Sequence, residues 1–201
     1  MDEARVPAVK VAVLAGSTRA GSFNRKLAAI LARAAADAGA EVTRVDLRDF
    51  PLPLYDGDLE AASGLPEPAR RLKQVFLDHH ALLIATPEYN GSLSGVLKNA
   101  IDWCSRREGD EVALAAFRGK VAGLVSASTG RLGGARALMA LRHVLSVCRA
   151  LVVPTQFPLP NAATAFDAED ALVDPEAHAA VAQVAKDTIE VARRLAGAQV
   201  R

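Results

Sequence analysis

The chain has 201 residues, 51% of them hydrophobic and 23% charged, with a formal net charge of +1. That length supports one sizeable core, and the near-neutral balance gives no field that would draw the chain to nucleic acid or to an anionic membrane. No apolar run approaches the length of a bilayer span, the acidic and polar start MDEARVPAVK lacks a leader-like apolar stretch, and Cys104 and Cys148 form neither a C-x-x-C nor a disulfide framework. The expectation is a cytoplasmic protein of one domain spanning 1–201.

The first apolar run, VKVAVLAG from Val9 to Gly16, is nearly continuous, as a parallel strand covered on both faces should be. A helical stripe follows, Leu27, Ile30, Leu31 and Ala34, and Asp37-Ala38-Gly39 supplies its stop. EVTRVDL and ALLIATP read as the second and third strands, and His79-His80 as the solvated end of a helix ahead of the third. Leu97, Ala100, Ile101 and Cys104 mark the next helix, KVAGLVSAS the fourth strand, and Leu138, Leu141, Leu145 and Cys148 a further helix. ALVVPTQ is a shorter fifth strand. FPLPNAATAFDAEDALVDPE reads as a surface loop before a last helix, from near Pro175 to Leu195, with Val181, Val184, Val191 and Leu195 inward. The mixed-charge runs RVDLRD and SRREGDE read as solvated faces. The core is expected over about 9–156, with the final loop and helix over about 157–197. This alternation predicts an α/β fold, a three-layer sandwich around a five-stranded parallel sheet in the flavodoxin-like order 2-1-3-4-5.

Ligands of such sheets bind at the carboxyl ends of the strands, where the strand order reverses. After the first strand, Gly16 to Gly21 has the G-x-x-x-x-G spacing of a nucleoside triphosphate loop, but Ser22 replaces the lysine and Phe23 the magnesium-binding hydroxyl. The dinucleotide pattern G-x-G-x-x-G is also absent, so Asp46, at the end of the second strand, is a weak pointer to ribose. What remains is a cradle of Ser17, Thr18, Ser22 and Asn24 at a helix start, with Arg19 adding a full charge. Such donors, without lysine or metal site, suit a terminal monophosphate; a polar turn with one N-cap is the plainer alternative. TPEYNGSLSG and SASTGRLGGARA follow the third and fourth strands. Their glycines and small donors could line a flat ligand, with Tyr89 as a stacking contact.

Together, GSTRAGSFNRKLA, PEYNGSLSGVLKNAIDW and FRGKVAGLVSASTGRLGGARALMALRHVL resemble the NADPH-dependent FMN reductase family of flavodoxin-like proteins, which includes quinone, azo-dye and chromate reductases. The resemblance runs from Val9 to about Gln156. It implies that Ser17, Arg19, Ser22, Phe23 and Asn24 surround the FMN phosphate. It places Pro87, Glu88, Tyr89, Asn90 and Gly91 along the isoalloxazine, and Ser126, Ser128, Thr129, Gly130, Gly133 and Gly134 at its other edge. Thr129 departs from an expected proline, and CSRREGDEVALA matches no family motif. The implied reductant is NADPH or NADH and the partner a small-molecule electron acceptor, in a homodimer or homotetramer with no nucleic acid or membrane ligand. No side chain is expected to be catalytic in itself, because the flavin carries the chemistry. A flavodoxin-type electron carrier is the alternative; such carriers resemble strongly acidic chains, and this one is near neutral.

Rival sites are weaker. Ser128 fits a nucleophile elbow poorly because Ser126 stands at the first glycine of G-x-S-x-G. Adjacent His79 and His80 diverge and gain no third ligand, so no metal site is expected. Both cysteines sit on apolar stripes, as buried thiols do, and are too few for an iron–sulfur cluster.

Overall fold

The computed structural model describes residues 8–198. Five strands, β1 (Lys10–Ala15), β2 (Glu41–Val45), β3 (Ala81–Ala85), β4 (Val121–Ala127) and β5 (Leu151–Leu159), pair in parallel in the order β2-β1-β3-β4-β5. The helices are α1 (Phe23–Asp37), α2 (Gly57–Ser63), α3 (Glu67–Leu77), α4 (Gly95–Cys104), α5 (Ala135–Val147) and α6 (Pro175–Ala198). Side chains alternate across each strand and so feed two apolar layers. Val11, Val13 and Ala15 pack under α1 and α6, whereas Ala12 and Leu14 join α3, α4 and α5 on the opposite face. β3 and β4 are buried along their whole length, which explains their unbroken apolar sequences. The stripes of α4 and α5 face inward: Leu97, Ala100, Ile101, Cys104, Leu138, Leu141 and Leu145 are all at most 3% exposed.

Five expectations need correction. β5 runs to Leu159, so Phe157, Pro158 and Leu159 pair with Val125, Ser126 and Ala127 instead of opening the loop. A bulge hides this continuation: Ala122 faces Val152, but Leu124 faces Gln156, leaving Gly123 alone opposite Val153, Pro154 and Thr155. Arg142 pins the bulge, donating to the carbonyls of Val152 at 3.2 Å and Val153 at 2.8 Å. The rest of the loop is not all surface either, because Ala162 and Leu172 are buried and Phe166 stacks on Phe23 with centroids 5.9 Å apart.

On α6, Val181 and Val184 are buried and Val191 partly so, but Leu195 is 41% exposed, and Ile189 and Ala192 complete the inner face. His79 is buried rather than solvated. Its Nδ1 donates to the Val75 carbonyl at 2.5 Å, and its Nε2 is hydrogen-bonded to Thr43 Oγ1 at 2.8 Å. His80 alone faces outward.

The mixed-charge runs are braces between elements. Arg106 pairs with Glu60 at 3.0 Å, Glu108 with Arg70 at 2.5 Å, and Glu111 with the buried ammonium of Lys73. In the other run, the Asp46 carboxylate accepts from Arg48 Nη2 at 2.6 Å, from the Arg48 N–H at 3.0 Å and from Arg25 Nη2 at 2.9 Å.

One long-range bolt fixes the start of α1. The Asn24 amide donates to the Ala127 carbonyl at 2.8 Å and accepts from the Ala127 N–H at 2.9 Å, inside the end of β4. Asn24→Ala strands both backbone groups and is expected to lower the unfolding free energy by about 2 kcal/mol, measured by urea denaturation; an unchanged midpoint would contradict this role. Asp46 gives a pH test. Side-chain bonding from Arg48, helped by its backbone N–H and the Arg25 charge, and opposed by burial, lowers the carboxyl from its ordinary 3.8 to about 2. The folded value lies below the unfolded one. Its stabilisation is therefore complete above about pH 4 and is lost as pH falls towards 2. Asp46→Asn is expected to flatten that part of the acid unfolding curve; an unaltered acid limb would count against the pairing.

Candidate functional site

The carboxyl end of β1 opens into a cup. The Gly16 N–H donates to the Ala85 carbonyl at 2.8 Å, holding the turn against β3. α4 arrives so close that a Cβ at Gly16 would lie 2.9 Å from Leu97 Cβ. Ser94 locks this approach, donating to the Gly16 carbonyl at 2.5 Å and accepting from the Leu97 N–H at 3.3 Å, so one buried hydroxyl both caps α4 and braces the cup.

Ser17 and Ser22 are each only 5% exposed, yet neither hydroxyl has a hydrogen-bond partner among the described residues. Among those residues no fully sealed side-chain polar atom is left unpaired, so what both serines still show to solvent includes their hydroxyls. Ser22 is the N-cap residue of α1 but makes no side-chain bond to it, and the first turn contains no acidic residue. The N–H groups of Phe23 and Asn24 meet no protein acceptor among the described residues. The positive end of the helix is thus uncompensated and faces the serines. Arg25 and Lys26 are neutralised, by Asp46 at 2.9 Å and Asp170 at 2.5 Å. Arg19 is exposed and has no carboxylate partner among the described residues. The amide of Asn24 is occupied by Ala127, and Phe23, half-buried, is stacked on Phe166.

The loops after β3 and β4 lie at the same edge of the sheet. Pro87 is buried, and Glu88 turns away from the surface to cap α5. Its carboxylate accepts from the Arg136 and Ala137 N–H groups at 3.1 and 3.4 Å and from Arg136 Nε at 2.7 Å. It substitutes for Gly134, the N-cap residue, which has no side chain to offer. Tyr89 and Ser92 exchange backbone bonds of 3.0 and 3.1 Å across Asn90 and Gly91, with φ of 52° and 77°. This is the two-residue hairpin that an Asn-Gly pair favours.

In the fourth-strand loop, Ser126 is fully buried and donates to the Thr86 carbonyl at 2.6 Å. A Cβ on Gly134 would fall 1.8 Å from Ser126 Oγ, and one on Gly133 2.7 Å from the Pro158 carbonyl carbon. These two glycines serve close packing inside the protein. Ser128 Oγ accepts from the Gly130 N–H at 3.2 Å, while Thr129 and Gly130 are exposed. Tyr89 and Leu132, 49% and 57% exposed, stand on these two neighbouring loops.

All the residues anticipated from sequence therefore sit on three adjacent strand-end loops, but in two classes. Ser17, Ser22, Arg19, Tyr89, Asn90 and Thr129 face outward or into the cup. The side chains of Asn24, Glu88 and Ser126 are engaged within the protein, and Gly133 and Gly134 are closely packed there. Ser94, Thr86 and Arg136 were not anticipated. Ser94 carried a signal, a serine just ahead of the Leu97 stripe; Arg136 carried none, because its partner is distant in sequence. Burial raises the thiol pKa of both Cys104 and Cys148, which keeps them as inert thiols.

Comparison with known proteins identifies the family. Residues 9–164 match the family described as NADPH-dependent FMN reductase. The chain is 43% identical over 141 residues to a 2-hydroxy-1,4-benzoquinone reductase of a Burkholderia species, covering 70% of each chain. It is 38% identical over 192 residues to an NAD(P)H-dependent FMN reductase of Pseudomonas aeruginosa, covering 94% of this chain and 98% of the relative. Among solved structures, the flavoenzyme NAD(P)H:(acceptor) oxidoreductase FerB from Paracoccus denitrificans superposes with a TM-score of 0.77 at 30% identity, over 93% of this chain and 98% of that one. The sheet order, the acid-free helix start at its switch point and this similarity over most of the chain lead to one conclusion: the protein belongs to the NADPH-dependent FMN reductase family and is an FMN-dependent NAD(P)H oxidoreductase.

Proposed function

We propose that the protein uses NADPH or NADH to reduce a small acceptor of the quinone type, with FMN as its resident redox group. Free flavins, azo compounds and oxidised metal anions are further acceptors of the same reach. The observation that carries this reading is the cup itself, where two largely buried serines turn unpartnered hydroxyls to the opening at a helix N-terminus that has no acid of its own. Its donors and fixed dipole suit a phosphate dianion. Bound there, FMN supplies the chemistry, accepting hydride and passing on electrons one or two at a time.

The residues have distinct tasks in this reading. Ser17, Ser22 and the Phe23 and Asn24 N–H groups hold the phosphate, and Arg19 adds charge from the rim. Asn24 works through its side chain by fixing the start of α1 to β4. The hairpin of Pro87 to Gly91 borders one edge of the ring, and Ser128, Thr129 and Gly130 the other. Ser126, Gly133 and Gly134 set the shape of that second loop from beneath. Glu88 is committed to capping α5, so it is not assigned as a proton donor. Tyr89 and Leu132 flank a shelf open to solvent, where reductant and acceptor meet the flavin in turn.

The quinone assignment is supported by the naming of the Burkholderia relative as a benzoquinone reductase. An electron carrier without NADPH turnover is not favoured, since the chain carries a net charge of only +1 and its relatives are reductases. No helix of the described residues is long and apolar enough to cross a membrane, and the cytoplasm is the place of action in this proposal. We also propose a homodimer or homotetramer, because α4 and α5 present Val96, Met139 and Val147 to solvent at 36%, 66% and 64% exposure.

One preparation tests all of this. Size-exclusion chromatography with light scattering is expected to give a yellow dimer or tetramer. Its released chromophore should have the mass of FMN, bleach with NADPH and recolour with a benzoquinone. A colourless protein with no affinity for added FMN contradicts the flavin assignment, colour that NADPH cannot bleach contradicts the reductase, and a monomer contradicts the assembly.

A further inference from the structure

Beside the cup a groove of about 620 Å³ opens between α1 and the edge strand β2. That volume is typical of small-molecule sites, which run from roughly 300 to 1,000 Å³. Neither Tyr89 nor Leu132, on the loops after β3 and β4, lines it. Ser17, Ala20 and Ser22 line its near end, so the groove is continuous with the cup. Arg33 lines it about three helical turns, or roughly 16 Å, further along α1. Arg44, which faces Val13 across the β1–β2 register, is set opposite.

Two features make this more than a gap beside an edge strand. The wall and floor are kept open by small apolar residues, Ala28 and Ala29 from α1 and Val13 and Ala15 from β1. The charges are also sorted. At the near end Arg25 and Lys26 are matched by Asp46 and Asp170, whereas Arg33 and Arg44 have no carboxylate partner among the described residues. Asp49 and Glu169 also line the groove, so it is a channel of mixed charge rather than a trap for any anion.

We infer that this groove takes an adenosine phosphate joined to the flavin phosphate, so that the protein accepts FAD as well as FMN. The inference rests on the proposed placing of the flavin phosphate in the cup. From that point the groove is the direction in which a second phosphate can leave. The diphosphate stays at the near end beside the serines, Asp49 and Glu169 are acceptors for ribose hydroxyls or the adenine amino group, the alanine wall admits a flat base, and Arg33 and Arg44, at the far end, offer guanidinium planes on which that base can stack. The hydrogen bonds to Asp46 hold Arg25 and Arg48 in place and leave that carboxylate no free role as the ribose acid.

The test is a titration of the full-length protein, stripped of its flavin, with FMN and with FAD, followed by quenching of flavin fluorescence. FAD is expected to bind within about threefold of FMN or more tightly. The double variant Arg33→Ala/Arg44→Ala should weaken FAD at least tenfold and leave FMN within twofold. Ala29→Leu keeps a good helix former and adds no charge, yet fills the wall; it should exclude FAD selectively. FMN bound and FAD rejected by the unaltered protein overturns this inference alone, while failure to bind either flavin removes the flavin reading and this inference with it. The groove would belong instead to the adenosine phosphate of the reductant if the double variant raised the KM for NADPH of the FMN-loaded enzyme with FAD affinity unchanged, and that result also overturns it.

Discussion

The uncompensated amino end of α1 is the feature on which the site depends. A helix start leaves backbone N–H groups unpaired and a partial positive charge in place. Most helices quench this with a side-chain cap or an acidic first turn. Here Ser22 stands at the cap position without capping, and no acid follows it. The two neighbouring cations of the turn are drawn aside by Asp46 and Asp170. The result is a neutral-walled cup with directed donors at its base, which in the proposed reading suits one phosphate better than a patch of loose charge would.

Such a cup works only if it cannot relax, and the surrounding contacts provide that rigidity. Asn24 ties the helix start to β4, Ser94 ties the β1 turn to α4, and Ser126 ties β4 to the end of β3. Glu88 completes the circuit from the β3 loop to α5. Three loops that sequence places far apart are thereby set as one platform, at small cost, since each bond also satisfies a buried backbone group. The glycines follow the same logic. Gly16 admits α4, Gly134 admits Ser126, and Gly133 lies against the backbone of β5.

Much of this was legible in the amino-acid sequence, and the exceptions share a cause. Buried parallel strands and helix stripes leave periodic signals, so β1, β3, β4, α4 and α5 were readable. The second half of β5 was not, because the bulge around Pro154 breaks the period and makes Phe157 to Leu159 resemble a loop. His79 looked solvated because its partners, Thr43 and Val75, are set by packing and not by local pattern. The polar residues of the site were recognisable as a group, but their directions were not. A serine that lines a cup and an asparagine that bolts a strand have the same signature along a chain. Only the fold separates Ser17 and Ser22, whose hydroxyls lack protein partners, from Asn24 and Ser126, whose polar groups are spent.

The central claim is that affinity for the flavin is concentrated on its phosphate. Calorimetric titration of the flavin-free protein with FMN and with riboflavin, which differ by that group alone, tests it directly. Hydrogen bonds to a charged group contribute about 1.5–3 kcal/mol each, so loss of the phosphate should weaken binding by a factor on the order of one hundred or more. Equal affinity for the two ligands would contradict the account, since the cup at the head of α1 would then have no part in holding the cofactor.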